Sequence, residues 1–274
     1  MIELTQDDFG RFSAYVYQQC GINLTAPKRI LLEGRLQKRL AFLNMRSFKE
    51  YYKHVTSPAG KDELVHMLDS VSTNKTDFFR EPGHFDFIRN VILPEFRSTK
   101  SNKPLRVWSS ACSSGEEPYT TAMVLQDQIE KGGLFGYEIL ATDISTKVLK
   151  QAINAVYLEN RIVDVPQHFR KKYLLKSKDP GKTLVRIVPE LRKKITYKRM
   201  NLMDADYKLD TMQDIIFCRN VLIYFDKETQ KNVARKLIQY LRPGGYLLIG
   251  HSESLFEMDL PLKQIMPATF QKTV

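Results

Sequence analysis

Val107-Trp108-Ser109-Ser110-Ala111-Cys112-Ser113-Ser114-Gly115-Glu116-Glu117-Pro118-Tyr119 sets the architecture of the whole chain. Leu105 to Trp108 is a short apolar run of strand type, small residues follow it, and Thr120 to Ile129 continues with helical periodicity. Pro118 suits the first helical turn, where no intrahelical N–H bond is lost. Strand, small-residue turn and helix form the ligand-facing corner of a doubly wound α/β sheet, beyond the carboxyl ends of its strands. A phosphate or dinucleotide binder would place several glycines here to expose bare backbone N–H groups. This turn has one glycine followed by two carboxylates. It repels phosphate and suits a ligand with a cationic head, such as the α-ammonium of an amino-acid-bearing cofactor. Ser114 and Glu117 also have the S-x-x-E spacing of a capping box, so Glu117 either caps the helix or meets the ligand.

Downstream, Glu138 to Asp143 reads as a second strand closed by an acid, with a helix from Ser145 to Asn154. Asp143 lies somewhat further past Gly115 than the ~20 residues typical of a ribose-binding acid, and a carboxylate there accepts both ribose hydroxyls or caps the next helix. Ile195 to Met200 leads a third strand to Asn201-Leu202, and Asp214 to Asn220 is a buried fourth strand with a polar end, followed by Val221-Leu222-Ile223-Tyr224-Phe225. A helix from Asp226 to Leu241, an Arg242-Pro243-Gly244-Gly245 turn and a fifth strand from Tyr246 to Gly250 come next. His251-Ser252-Glu253 faces the same sheet edge, and Ala268 to Lys272 closes the sheet as a last antiparallel strand. Between His168 and Arg199 the rhythm breaks. Tyr173-Leu174-Leu175, a turn over Ser177 to Thr183, Leu184 to Val188 and Ile195-Thr196-Tyr197 suggest a small, basic antiparallel insertion.

Upstream, the chain to Val71 reads as all helical, with breaks at Gly21 to Pro27, Asn44 to Ser47 and Ser57 to Gly60. Pro27 to Arg46 carries Lys28, Arg29, Arg35, Lys38, Arg39 and Arg46 against the single acid Glu33, above an apolar stripe of Ile30, Leu31, Leu36, Leu40 and Leu43. Arg35, Lys38 and Arg39 share a face, which is either an ordinary solvated face or a dock for an acidic partner. Ser72 to Pro82 reads as a linker lying over the second domain, where Asn74 and Thr76 form a turn and helix cap or a polar lid. A helix from Gly83 to Phe96 leads into the first strand. The expected organisation is a helical domain over 1–71, a linker over 72–84 and a catalytic domain over 85–274 with its β-insertion at about 165–198.

The 274 residues hold 42 Lys plus Arg against 31 Asp plus Glu, a formal charge of +11. That balance favours an acidic partner without choosing among nucleic acid, anionic lipid and protein. Cys20, Cys112 and Cys218 form no C-x-x-C pair, the five histidines show no metal spacing, and neither a signal peptide nor a membrane-spanning run is present. A reduced, cytoplasmic protein without metal or membrane insertion is the expectation.

Ser72 to Glu81 (S-T-N-K-T-D-F-F-R-E), Trp108 to Tyr119, Ala141 to Ile144 (A-T-D-I), Phe217 to Phe225 (F-C-R-N-V-L-I-Y-F), Leu-Arg-Pro-Gly-Gly at 241–245 and Gly250 to Glu253 (G-H-S-E) together resemble the class I S-adenosylmethionine-dependent methyltransferases, and within them the CheR-type chemotaxis receptor glutamate methyltransferases. The resemblance implies a Rossmann-like α/β sheet with an N-terminal helical domain and a small antiparallel β-subdomain. It further implies methyl transfer from S-adenosylmethionine to glutamate γ-carboxylates on chemoreceptor cytoplasmic helices, leaving S-adenosylhomocysteine, by a cytoplasmic enzyme recruited to receptor arrays. By position, Asn74, Thr76, Arg80, Glu117, Asp143, Asn201, Leu202, Asn220 and Val221 contact the cofactor, with Glu117 at its amino-acid end, Asp143 at the ribose and Asn201-Leu202 by the adenine. Arg80 and Tyr224 match residues near the reacting carboxylate, while Arg35, Lys38 and Arg39 dock receptor helices. The loop from Ser177 to Thr183 has a single glycine where tether-binding relatives are glycine-richer, which favours direct docking. A nucleic-acid methyltransferase is disfavoured because the fourth strand lacks an Asn or Asp followed by two prolines and an aromatic. A module that binds the cofactor without transferring methyl is disfavoured by Arg80 and Tyr224.

Overall fold

The computed structural model describes residues 2–99, 103–132, 135–179 and 181–273, so Met1, Pro180 and Val274 lie outside the described residues. Four helices, α1 (Gln6–Cys20), α2 (Arg29–Phe42), α3 (Phe48–Val55) and α4 (Lys61–Val71), enclose a core that includes Phe9, Phe12, Leu36, Phe48 and Tyr51. Thr5 and Ser47 start α1 and α3 by accepting the Asp8 and Glu50 backbone N–H groups, which have no intrahelical partner. The buried stripe of α2 is Leu32, Leu36 and Leu40, one residue every fourth, whereas Ile30 and Leu31 face solvent. The expected stripe through Ile30 and Leu31 is thereby corrected: a 3-10 turn over Ala26–Lys28 precedes the helix, and the core-facing i, i+4 row that ends in the expected Leu36 and Leu40 begins at Leu32.

After the linker, α5 (Gly83–Phe87), a π-helical turn (Ile88–Ile92) and α6 (Leu93–Ser98) lead into the sheet. In chain order the remaining elements are β1 (Leu105–Ser109), α7 (Glu116–Glu130), β2 (Tyr137–Asp143), α8 (Thr146–Asn154), β3 (Val156–Leu158), α9 (Gln167–Tyr173), β4 (Leu174–Lys176), β5 (Leu184–Ile187), α10 (Pro189–Arg192), β6 (Ile195–Arg199), β7 (Gln213–Cys218), α11 (Lys227–Gln239), β8 (Leu241–Ile249), β9 (Leu262–Met266) and β10 (Thr269–Lys272). The main sheet runs β6-β2-β1-β7-β8-β10-β9, the first five strands parallel and the last two an antiparallel hairpin. β7 is buried at every position, as a central parallel strand covered on both faces must be.

Three differences from the sequence reading have physical causes. Ile195–Arg199 pairs parallel with β2 as the expected third strand of the main sheet and takes no part in the antiparallel insertion expected to include Ile195-Thr196-Tyr197; that small sheet is β3-β5-β4, starting at Val156 rather than near 165. A three-residue strand following a helix C-cap carries too little pattern to be seen. The Arg242 to Gly245 turn is a bulge inside β8: pairing with β7 jumps from Leu241 to Tyr246, and Gly244 takes a left-handed φ of 71°. Finally, β10 is not the edge strand, because β9 covers it; β9 is short and carries an exposed Lys263, two of the usual protections of an edge.

Candidate functional site

The turn after β1 is pinned to both neighbouring strands. Ser110 N–H donates to the Phe217 carbonyl at 2.9 Å on β7, and Cys112 N–H to the Thr142 carbonyl at 2.8 Å on β2. This is where the strand order reverses and a crevice opens. Gly115 is required there: its φ is 97°, and a Cβ would lie 2.9 Å from both Ala152 Cβ and Tyr157 Oη. It starts α7 with no side-chain cap, so the capping-box reading of Ser114 and Glu117 does not hold. Ser114 Oγ donates instead to Glu116 at 2.7 Å, and Glu116, fully buried, pairs with Arg161 at 2.9 Å. One of the two acids is thus structural, and only Glu117 faces the crevice.

Glu117 accepts from Ser109 Oγ at 2.7 Å and from the Arg219 guanidinium at 3.1 Å. Arg219 is buried against the rings of Phe85 and Phe217. It makes two contacts with Glu81, at 3.1 and 3.2 Å, and also donates to the Arg80 carbonyl. Its charge is therefore committed mainly to Glu81, and the two carboxyls move apart. Burial pushes Glu81 up, but Arg219, His251 N–H and Asn220 outweigh it and hold it below the ordinary value. Burial wins at Glu117, which sits above its ordinary value despite Arg219 and Ser109. An undercompensated carboxylate at the crevice wall is what a ligand ammonium requires.

Asp143 closes β2 with one oxygen accepting from Ser113 N–H at 2.8 Å and the other from Ser145 N–H at 2.9 Å. Burial raises its carboxyl, and those two donors pull it back. Each oxygen keeps a second lone pair for a diol. Glu253 holds the opposite wall by accepting from Asn220, Gly250 and Ile223 N–H groups. Asn220 takes a left-handed φ of 56°, and its approach to Gly250 is so close that a Cβ there would lie 2.4 Å from the Asn220 amide nitrogen.

Asn74, Thr76, Arg80, Glu117, Asp143, Asn201, Leu202, Asn220, Val221 and Tyr224 all line one cleft of about 930 Å³, counting its open mouth. The linker forms its roof, strapped from both sides. Arg35 on α2 donates to the Val71 and Ser72 carbonyls and to Thr73 Oγ1, while Ser113 Oγ donates to the Asn74 carbonyl and Arg161 to that of Thr76. Buried Phe78 packs edge-on to Tyr157, and Phe79 stacks on Phe169 at 5.5 Å. Asn201 lines the cleft with its side chain already engaged: its amide donates to the Gln19 carbonyl at 2.7 Å and its carbonyl accepts Met203 N–H, so it also ties α1 to the sheet. Cys20 and Ile22 also line the cleft, and Asn23 N–H donates to the Tyr224 carbonyl at 2.8 Å. The helical layer therefore completes the site, a contribution no motif announced. Arg219 and Glu81 were missed too, although a charged residue following the apolar run to Cys218 was a usable signal.

Of the expected docking residues, Lys38 is exposed. Arg39 is engaged with Glu63 through two hydrogen bonds of 2.9 and 2.6 Å, and Tyr51 donates to the same carboxylate at 2.7 Å. Arg35, as described, holds the linker. The three do not form one free basic face, because Glu63, acidic and buried on α4, draws Arg39 down. The exposed face of α2 instead carries Ile30, Leu31, Lys38 and Phe42. Beside the cleft, Glu81, His84 and His251 bring ligand atoms within 4.8 Å of one another. Burial and Arg219 push His84 down to about 4, so its imidazole is neutral.

The sheet order, an acid after each of the first two strands and a cleft able to seat a nucleoside with an ammonium tail define a class I S-adenosylmethionine-dependent methyltransferase. Residues 74–270 match the family described as CheR methyltransferase, SAM binding domain, and residues 7–72 match CheR methyltransferase, all-alpha domain. The chain belongs to the CheR methyltransferase family. A chemotaxis protein methyltransferase of Borreliella burgdorferi is 42% identical over 99% of this chain and 96% of its own length. Chemotaxis protein methyltransferase 2 of Pseudomonas aeruginosa is 37% identical over 91% and 87%, and the Escherichia coli chemotaxis protein methyltransferase 34% over 94% and 88%. A magnesium protoporphyrin IX methyltransferase structure from Synechocystis with bound S-adenosylmethionine overlaps 71% of each chain at a TM-score of 0.32 and 14% identity, too loosely to bear on function. No helix among the described residues is long and apolar enough to cross a membrane.

Proposed function

We propose that this chain esterifies glutamate γ-carboxylates on the cytoplasmic helices of chemoreceptors, using S-adenosylmethionine as methyl donor. The observation that carries the proposal is the convergence of Glu117, Asp143, Arg80 and Tyr224 on one cleft, in a chain whose relatives bear the name chemotaxis protein methyltransferase. The donor supplies an electrophilic methyl group on a sulfonium. A glutamate with an ordinary pKa near 4.3 is already anionic at neutral pH, so no general base is needed. The cleft's three acids are otherwise engaged: Glu117 is bound to Ser109 and Arg219, Asp143 to two backbone N–H groups, and Asp77 pairs with Arg161 at 3.2 Å. Glu117 holds the donor's ammonium and Asp143 its ribose. Arg80 and Tyr224 hold one oxygen of the acceptor in line with the methyl group; because opposite charges cancel during transfer, tight charge stabilisation of either partner would slow it. The C–O bond forms as the C–S bond breaks, leaving an ester and a thioether.

Receptor helices dock on the exposed face of α2, where Lys38 lies among Ile30, Leu31 and Phe42; the enzyme then works at receptor arrays on the cytoplasmic side of the membrane. The direct test is methyl-labelled donor with receptor-bearing membranes: alkali-labile label released as methanol is expected, and alkali-stable label on the receptor defeats the reading.

A further inference from the structure

We propose that Glu81, His84 and His251 form a binding site for a borderline divalent transition-metal ion, set beside the cofactor cleft and antagonistic to it. The five histidines show no metal spacing along the chain, but the fold brings two of them together with a carboxylate. His84 is fully buried, and neither of its ring nitrogens makes a hydrogen bond of full geometry; their polar neighbours are the Glu81 carboxylate and the Ala268 backbone. A buried imidazole without a full hydrogen bond costs free energy, so its retention calls for a ligand. Its Nδ1 lies 3.6 Å from Glu81 Oε2, and the ring of His251 sits edge-on with centroids 5.2 Å apart. Two imidazoles and one carboxylate suit Zn²⁺, Cu²⁺ or Ni²⁺, whereas Mg²⁺ and Ca²⁺ prefer oxygen cages. His251 is exposed, so it is free to close the ~1 Å needed for metal–ligand distances near 2 Å, and solvent occupies the remaining position.

The antagonism follows from what Glu81 already holds. Its Oε2 accepts from Arg219 at 3.1 and 3.2 Å, and the same guanidinium braces Glu117 and the Arg80 carbonyl. A metal ion drawing on Oε2 competes with Arg219 and repels it, loosening both groups at the amino-acid end of the cleft. Coupling between two ligands is reciprocal, so bound cofactor must weaken metal binding by the same factor. The metal site itself is independent of the proposed reaction; only its coupling rests on that reading.

The test is calorimetric titration of the metal-free full chain with ZnCl₂, with S-adenosylhomocysteine titrated in parallel with and without Zn²⁺. We expect about one equivalent of Zn²⁺ in the wild type, no competition from excess Mg²⁺, and S-adenosylhomocysteine affinity reduced several-fold by Zn²⁺. His251→Ala, an exposed substitution, should weaken Zn²⁺ by roughly tenfold or more and remove its effect on S-adenosylhomocysteine; the buried His84→Gln should do the same if it folds. Unchanged Zn²⁺ stoichiometry and affinity in His251→Ala overturns the site. Zn²⁺ binding lost in His251→Ala while S-adenosylhomocysteine affinity never responds to the metal overturns the antagonism. Cofactor binding in the zinc-free wild type tests the proposed function separately.

Discussion

The proposed hold of Glu117 on the donor's ammonium rests on a shortage of positive charge around its carboxylate. Arg219 is shared with Glu81, and the Glu117 carboxyl is left above its ordinary value of 4.5. A raised folded-state value means the native protein binds this proton more tightly than the unfolded chain, so ionising Glu117 costs stability as pH rises past 4.5. An ammonium in the cleft offsets that cost. Affinity for S-adenosylhomocysteine should therefore fall as pH drops through the raised Glu117 value, and Glu117→Gln should flatten the profile while weakening binding by ~10-fold. A wild-type profile that stays flat down to the ordinary carboxyl value of 4.5 contradicts the assignment. Arg80 and Tyr224 belong to the same scale but to a different step. Tyr224→Phe keeps the ring against Lys28 and should leave cofactor affinity within a few-fold while turnover falls by ~10²-fold; Arg80→Ala should lose turnover as well. Single-turnover kinetics beside binding isotherms separates these effects, and unchanged turnover in both variants removes the two residues from the reaction.

On the scale of elements, α2 does two jobs that the sequence ran together. Its residues Arg35 and Arg39 are spaced on one face with Lys38, and spacing alone gives no way to see that each arginine has an acceptor inside the protein. Arg39 is held by Glu63, a buried acid on α4 that also accepts from the buried Tyr51 hydroxyl on α3. Arg39→Ala leaves Glu63 charged, buried and short of donors, so it should destabilise the chain by ~3 kcal/mol. Lys38→Glu, fully at the surface, should leave the melting temperature alone and reduce methylation of receptor membranes only. Thermal melts compared with methylation rates decide it; a stable Arg39→Ala with impaired methylation would return Arg39 to the docking face. The same limit governs what was legible elsewhere. β1, β2, β7 and the small turn at Gly115 stood out because apolar runs, a glycine and acids fall at fixed positions in a parallel sheet. β3, β9 and the bulge at Gly244 did not, since each is short, exposed or hidden inside a turn-like dipeptide. The cleft residues carried by motif all reached the cleft, yet Glu81 and Arg219, which hold them, act through charge pairs 138 positions apart. Such pairs leave no periodic trace.

Across the whole molecule, the helical layer and the sheet build one site, and their junction is narrow. Gly21 ends α1 with a φ of 73° and its N–H on the Tyr17 carbonyl; beyond it, Ile22 packs against the hydrophobic cores of both layers. A Cβ at position 21 would lie 2.5 Å from Met203 Sδ and 3.2 Å from Phe225 Cε1. Around this contact sit the Asn201 bond to Gln19, the Asn23 bond to Tyr224 and the Tyr17 hydroxyl 3.1 Å from Thr229 Oγ1. Gly21→Val combines a β-branched residue at positive φ with that clash, a strain of ~1–3 kcal/mol. Met203 can swing aside, but Phe225 and Tyr224 follow one another in the chain, so relief moves the cleft wall. The expected outcome is a chain that still folds, with lower melting temperature, weaker S-adenosylhomocysteine binding and slower methyl transfer together. A wall made by the sheet alone predicts otherwise: the melting temperature falls while cofactor affinity stays at the wild-type value. Calorimetry on the one variant distinguishes the two, because the contacts next to position 21 that reach the cleft wall are those of Tyr224 with Asn23 and of Asn201 with Gln19.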